Sequence, residues 1–350
     1  MRPLSLLLLL FLTACGSPED PSNGANWVKR SAPVLTGEYG VASDPDVVRD
    51  GDGYRMCYTC LDPDTGHTAL CGATSADGIH WSPAPAGGRP QGLLLSGLPG
   101  TDEAALEGCA LLRRDNQWLL FYSAYPSPGD PVSGFPASLY RASSEDGEHY
   151  IRDGRVLAPQ PGGHDNDAVY SPSFLNEGGT VLMIYTGHCY TRCTSGYGPV
   201  LLAARSDDAL HWTRVPDFLV APSADRPWSA QGIGEAAVFI GPGPRYNLLV
   251  TGRLGDGERP AVWLAQAAQL SGPWSFSGQP VLSPSGSGFD AAGLLAPTVQ
   301  IEGDRMRVWY FGLGRDGHYA IGEAETRYPP HASLNPPQPD SHTPNCSTKA

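Results

Sequence analysis

The sequence predicts an all-β fold, and two observations lead to that class. No long segment of the 350 residues has helical apolar periodicity, whereas short runs rich in aromatic and β-branched residues recur between Gly, Asp and Asn turns. An acidic or small residue also opens an apolar segment five times, at Asp44, Glu107, Ser171, Glu235 and Ala296. The steps between these anchors are 63, 64, 64 and 61 residues. A fixed period of this size indicates an array of one repeated β unit.

Each repeat is predicted to contain four short strands, of which the anchor opens the first. The second strands are Tyr54–Thr59, Trp118–Tyr122, Val181–Thr186, Tyr246–Thr251 and Met306–Phe311. The third strands, of smaller apolar residues, are Ala69–Thr74, Ser138–Ala142, Val200–Ala204, Ala261–Ala265 and Tyr319–Glu323. A turn ending in an aromatic residue follows in the first four repeats, at Trp81, Tyr150, Trp212 and Trp274. Asp-Gly pairs in two of these turns supply the positive φ that a tight turn needs.

The aromatic turn of the fifth repeat is missing after Glu323, and a similar segment stands near the start of the chain. Trp27 with Val34 and Leu35 resembles Trp274 with the apolar pair that follows it. The N-terminal segment is therefore predicted to supply the outer strand of the last repeat and to close a ring. The resulting fold is a five-bladed β-propeller of four-stranded blades. The repeated aromatic residues are expected to pack the blades together rather than bind a ligand.

The chain divides into a leader, a tether, one domain and a tail. Residues 1–15 contain Arg2, an apolar run at 4–12, and Leu12-Thr13-Ala14-Cys15, which resembles a bacterial lipobox. That resemblance implies cleavage before Cys15, lipidation of its thiol, and an exported protein anchored to the cell envelope, at the outer membrane or cell surface. The apolar run is too short to span a bilayer. Residues 16–26 would be a tether, 27–327 the propeller and 328–350 a disordered tail.

The charge of the chain argues against one class of partner, and its cysteines suggest disulfide bonds. The net charge is −13 and Lys and Arg are nowhere clustered, which argues against nucleic acid. We expect a monomer without a cofactor or bound metal. In an oxidising compartment Cys60 can bridge to Cys71, and Cys189 to Cys193. Cys57 can pair with Cys109 in the next blade or with Cys71, which leaves Cys346 in the tail.

The innermost strands of a propeller converge on one face, where their first residues line the mouth of the central channel. The anchors place Asp44, Glu107 and Glu235 around that mouth, although they are far apart in sequence. Two carboxyl groups are what glycoside hydrolysis requires, one to protonate the leaving oxygen and one to act as base or nucleophile.

These residues resemble the five-bladed propeller glycosidases, namely glycoside hydrolase family 43 (arabinanases and xylosidases) and the related families 32, 68 and 130. The resemblance covers nearly the whole predicted domain. It rests on Ser43-Asp44-Pro45-Asp46-Val47, Tyr54–Thr59, Ser206-Asp207-Asp208-Ala209-Leu210-His211-Trp212, Gly234-Glu235-Ala236-Ala237-Val238 and Gly272-Pro273-Trp274. It implies that Asp44 is the general base or nucleophile and Glu235 the general acid.

The chain departs from family 43 in the third blade, where that family has an Asp that tunes the acid and this chain has Ser171. Asp167 stands four residues earlier, which is about 13 Å along a strand. Glu107 in the second blade is the other acidic residue that can compensate. Ser171 itself is then expected to contact substrate.

Three further residues are predicted to bind substrate at the same mouth. His188 and Arg253 follow the second strands of the third and fourth repeats, and Arg253 can hold a carboxylate or a sugar hydroxyl. Trp228, before the fourth anchor, can stack on a sugar ring.

Three alternatives to a five-bladed propeller glycosidase remain. A non-catalytic glycan-binding lipoprotein fits Ser171, and a protein–protein scaffold fits the fold. The turns at Asp77 and Asp146 resemble the Asp-box of sialidases, but they are one residue short between Asp and Gly. Sialidases also have six blades and an arginine triad.

Overall fold

The computed structural model describes residues 27–126, 136–189, 198–216, 218–241, 243–252 and 259–328, and within them it is a ring of five antiparallel sheets. The N-terminal strands are β1 (Val28–Lys29) and β2 (Leu35–Thr36). Blade one contains β3 (Ala42–Asp50), β4 (Gly53–Asp62), β5 (His67–Ser75), β6 (Ser82–Pro83) and β7 (Leu93–Leu95). Blade two contains β8 (Ala105–Arg114), β9 (Gln117–Tyr125), β10 (Ser138–Ser144) and β11 (Ile151–Leu157). The predicted all-β, five-bladed propeller is confirmed.

The remaining blades repeat this plan with short outer strands. Blade three contains β12 (Ala168–Glu177), β13 (Thr180–His188), β14 (Val200–Ser206) and β15 (Thr213–Arg214). Blade four contains β16 (Ile233–Ile240), β17 (Tyr246–Gly252), β18 (Ala261–Ala267) and β19 (Ser275–Phe276). Blade five contains β20 (Gly293–Glu302), β21 (Arg305–Leu313) and β22 (Tyr319–Arg327). One short 3-10 helix, Pro227–Ser229, precedes β16, and no helix among these residues has the length and apolarity to cross a membrane.

The N-terminal segment closes the ring, as predicted. Val28 of β1 pairs with Glu325 of β22, and Leu35 of β2 pairs with Ile321 of the same strand. The outer strand of blade five thus comes from the opposite end of the chain from its other strands.

Clusters of an acid, a tyrosine and a base recur in three blades, and in blade five the base comes from the N-terminal segment. They are Glu103–Tyr122–Arg152, Asp165–Tyr185–Arg214 and Asp290–Tyr310–Lys29. The base follows the repeated aromatic residue of each blade by two positions, so Lys29 after Trp27 stands where Arg214 stands after Trp212. Lys29 Nζ lies 2.7 Å from Asp290 Oδ2. The N-terminal strand therefore carries the polar partner that blade five requires.

The repeated aromatic residues pack between blades, as expected. Trp81 of blade one contacts Trp309 of blade five with ring centroids 6.4 Å apart. Trp212 of blade three contacts Phe121 of blade two at 5.9 Å. Each ring fills the gap between neighbouring sheets, where apolar burial provides most of the stabilisation.

The Asp turns that resemble an Asp-box have a structural role. Asp77 Oδ1 accepts hydrogen bonds from the backbone N–H groups of His80 and Ile79, both 2.8 Å away. These bonds hold the pKa of Asp77 well below its usual range, and the bond that His80 donates contributes most. Arg307 of blade five donates to the Asp77 carbonyl at 2.7 Å, so this turn joins two blades.

Two disulfides show which of the alternative cysteine pairings forms in blades one and two. Cys57 pairs with Cys109, which links the two blades, and Cys60 pairs with Cys71 within blade one. Cys189 is also disulfide-bonded, but Cys193 lies outside the described residues.

Candidate functional site at the mouth of the propeller

Each innermost strand carries a bulge with a left-handed residue near its start. The residues are Asp44, Gly108, Ser171, Glu235 and Ala296, with φ between 46° and 58°. The pairing of the first two strands of every blade shifts at this point. Non-glycine residues rarely adopt such φ values. The bulge is therefore a specific feature of this fold, and its presence in all five blades directs the five innermost strands toward one point.

The structure corrects the sequence alignment in blade two. Gly108, not Glu107, has the left-handed φ and is the structural equivalent of Asp44. The sequence periodicity placed the anchor of blade two one residue too early, at Glu107, because the anchors of blades one and four are also acidic residues. A Cβ at Gly108 would lie 3.1 Å from Ser171 Oγ and 3.2 Å from Ser123 Oγ, so there is little room for a side chain there.

The bulges surround a cavity of about 430 Å³ that opens on one face of the ring. Its lining includes Asp44 of blade one, Glu107 of blade two and Glu235 of blade four. Ser171 and His188 of blade three line it as well. The cavity therefore unites three carboxyl groups from separate blades, as the sequence predicted, and Glu107 reaches it from the position before the bulge.

Neighbouring blades fix the anchors through hydroxyl groups on the second strands. The bonds run from Gly108 N to Thr59 Oγ1, Ser171 N to Ser123 Oγ, Glu235 N to Thr186 Oγ1 and Ala296 N to Thr251 Oγ1, at 2.8–3.2 Å. The backbone that carries each mouth residue is thus held by the preceding blade.

Glu107 is the carboxyl group of blade two at the mouth, and its surroundings disfavour its ionised form. Burial, and then the negative charge of Asp44, raise the pKa of Glu107 to about 8, against an opposing hydrogen bond from Tyr125. Tyr125 Oη donates to Glu107 Oε2 at 3.3 Å. At neutral pH Glu107 is mainly protonated and can donate a hydrogen bond or a proton.

We expect Glu107→Gln to change how stability depends on pH. The pKa of Glu107 is raised in the folded protein, so its contribution is complete below about pH 4.5 and is lost as pH rises through about 8. Gln mimics the protonated form and cannot ionise. The melting temperature of the variant should therefore rise relative to that of the wild type between pH 5 and pH 8.

Thermal unfolding of both proteins across this range tests the prediction. Asp46 also titrates here, since burial raises its pKa to about 6, but it does so in both proteins. A melting-temperature difference that stays constant with pH would contradict the raised pKa of Glu107.

Asp46 lies two residues beyond Asp44 on β3 and lines a small cavity of about 30 Å³ between the innermost strands. Its carboxylate accepts a hydrogen bond from Leu111 N of blade two at 2.7 Å and from Thr298 Oγ1 of blade five at 3.0 Å. This carboxylate therefore joins blade one to blades two and five.

Two predicted site residues lie elsewhere. Asp167 precedes β12 outside the cavity lining, and its Oδ1 accepts a hydrogen bond from Asn166 at 2.7 Å. Trp228 stacks on Trp263 inside blade four, with ring centroids 4.4 Å apart and planes at 9°. The absent side chain of Gly252 leaves the space for this stack, and Trp228 does not line the mouth. Arg253 and Cys15 lie outside the described residues.

His188 reaches the cavity at the end of β13 and packs edge-on against Tyr170, with ring centroids 5.0 Å apart. Sequence reasoning missed the apolar residues that blade five contributes to the lining: Leu295, Phe311, Leu313 and Tyr319. The described residues contain no group of three or more His, Cys, Asp or Glu arranged to hold a metal ion.

Comparison with known proteins supports the fold. The profile of the glycosyl hydrolases family 32 N-terminal domain matches residues 109–232, about a third of the chain. The β-1,2-mannobiose phosphorylase of Listeria innocua, in complex with β-1,2-mannobiose, is 12% identical, with a TM-score of 0.64 over 86% of this chain and 97% of that one. A thermostable family-43 glycoside hydrolase is 17% identical, with a TM-score of 0.63 over 85% and 92%.

A third structural relative is an N-acetylgalactosamine deacetylase from F. plautii in complex with blood group B trisaccharide. It is 17% identical, with a TM-score of 0.65 over 87% of this chain and 96% of that one. No curated protein matches the sequence. The resemblance to five-bladed propeller glycosidases is thus confirmed at the level of the fold.

Proposed function

We propose that this protein hydrolyses glycosidic bonds of an oligosaccharide or polysaccharide at the mouth of the propeller. The observation that carries the proposal is the convergence of Asp44, Glu107 and Glu235 on one cavity of about 430 Å³. The similarity to glycoside hydrolases and a phosphorylase, although limited to the fold, agrees with this chemistry.

The roles follow from chemistry and from the resemblance. Asp44, next to the Ser43 hydroxyl at 3.0 Å, acts as base or nucleophile at the anomeric carbon. Glu235 protonates the leaving oxygen from blade four. Protonated Glu107 avoids placing a second negative charge beside Asp44, whereas family 43 has, at the position of Ser171, an Asp that tunes the general acid.

The test is sugar release from a panel of aryl glycosides and arabino-, xylo-, manno- and fructo-oligosaccharides. We expect Glu235→Gln to lower turnover by about 10²- to 10⁴-fold, the usual contribution of a general acid. For Glu107→Gln we expect the alkaline limb of the kcat/KM profile, near pH 8 in the wild type, to change. If Glu107→Gln abolishes turnover while Glu235→Gln does not, the two assignments are reversed.

A non-catalytic glycan-binding protein is the second candidate, and Ser171 is the observation that favours it. In that case the folded protein binds an oligosaccharide but releases no sugar from any member of the panel.

We also propose that Cys15 carries the lipid that anchors the protein to the bacterial cell envelope. Metabolic labelling with a radioactive fatty acid tests this, because label should enter the wild type and be absent from a Cys15→Ser variant.

A further inference from the structure

Blade five differs from the other four blades at one position of the mouth. In every blade, the residue just before the bulge on the first strand pairs with a residue on the second strand. That partner is Thr59, Ser123, Thr186 or Thr251 in blades one to four. In blade five it is Phe311, paired with Leu295. The four hydroxyls accept the N–H of the next blade's left-handed residue, but Phe311 has no oxygen to accept one from Asp44. An aromatic ring therefore stands where the repeat otherwise has a hydrogen-bond acceptor.

Phe311 belongs to a small aromatic surface inside the cavity. Its ring centroid is 4.9 Å from that of Tyr319, and the two planes are tilted by 59°. Both side chains are partly exposed and both line the mouth. Leu313, which pairs with Tyr319 across the sheet, continues the same wall. The mouth thus has an apolar wall from blade five, while its carboxyl groups come from blades one, two and four.

This wall is attached to the loop that precedes Asp44. Tyr319 N donates to the carbonyl oxygen of Gly40 at 3.1 Å, four residues before Asp44. Gly40 has a φ of 76°, and a Cβ there would meet the ring of His318 at 2.9 Å. The loop and the start of β22 therefore fit closely, which fixes the aromatic pair relative to the carboxylate.

We propose that Phe311 and Tyr319 form the platform on which the apolar face of a sugar ring stacks, with its hydroxyl groups turned toward the carboxyl groups. Sugar rings present C–H groups on one face, and aromatic rings bind such faces. The inference rests on the proposed function and adds the part of the mouth that holds the ring. It assigns to blade five the stacking that the sequence had suggested for Trp228.

The test is Phe311→Thr, which installs the residue that blades one, three and four have at this position. The fold should be retained, since the exchange makes the repeated hydrogen bond possible, and thermal unfolding checks this. Binding of arabino-, xylo-, manno- and fructo-oligosaccharides is measured by calorimetry in proteins that also carry Asp44→Asn, so that bound sugar is not consumed. We expect Phe311→Thr to weaken the tightest binding about tenfold and Phe311→Tyr to stay within about twofold.

The outcomes separate the platform from the hydrolytic activity. If Phe311→Thr weakens binding, and the protein with Asp44 intact releases no sugar, the platform is supported and hydrolysis is overturned. Hydrolysis with a KM that Phe311→Thr leaves unchanged supports hydrolysis and overturns the platform. A protein that binds none of the oligosaccharides overturns both.

Discussion

Replacing Asp44 with Asn should lower kcat for glycoside hydrolysis by about 10³-fold or more, because the amide cannot act as base or nucleophile. The residue has a φ of 49°, and Asn is among the few residues that tolerate this region. The substitution therefore removes the charge without straining the bulge. Steady-state kinetics on the best substrate of the panel provides the measurement, and a melting curve confirms that the variant is folded.

Asp167→Asn is the matched control for this experiment. The same chemical change is made at the residue directly before β12, at a carboxylate outside the cavity lining. Its kcat should stay within about threefold of the wild type, the scatter expected of a change away from the reacting atoms. Equal losses in both variants, or an active Asp44→Asn protein, would remove Asp44 from the mechanism.

The second large effect concerns stability at the junction of blades five and one. Arg307 Nε donates to Glu323 Oε1 at 2.8 Å, and both side chains are at most 2% exposed. Arg307 also donates to the Asp77 carbonyl of blade one. Arg307→Met removes one of the two charged partners that Glu323 has among the described residues, the other being the partly exposed Arg30 at 2.9 Å. We expect the free energy of unfolding to fall by about 3–5 kcal/mol, as for other broken buried ion pairs.

Arg49→Met is the control, since Arg49 of blade one pairs with Glu302 of blade five at 3.3 Å on the surface. Its side chain is 44% exposed, so its loss should cost at most about 1 kcal/mol. Urea unfolding of the two variants and the wild type gives the comparison. Similar small losses in both variants would show that the buried pair does not stabilise the closure.

The fold could be predicted because every repeat carries the same local signals. The period of the anchors, the aromatic residue at each outer turn and the displaced Trp27 segment are properties of the chain itself. The Asp290–Lys29 contact could not be read in the same way. It joins residues 261 positions apart, and the shared role of Lys29 and Arg214 is visible only once the blades are superposed.

The site was predicted only in part, for physical reasons that differ between residues. The carboxyl groups of Asp44, Glu107 and Glu235 lie on innermost strands, and the ring brings those together. Trp228 was misplaced because its position before an anchor does not reveal that Gly252 leaves it a packing site on Trp263. Phe311 was overlooked because it ends an ordinary apolar strand. Only comparison with Thr59 and its equivalents marks it as an exception.

The most direct test of the account is a crystal structure of the Asp44→Asn protein with the oligosaccharide that binds it most tightly. The account predicts a sugar ring in the mouth, one face on Phe311 and Tyr319, and a glycosidic oxygen within hydrogen-bond reach of Glu235 or Glu107. Sugar bound outside this cavity, or a mouth left empty by an oligosaccharide that the protein binds in solution, would contradict it.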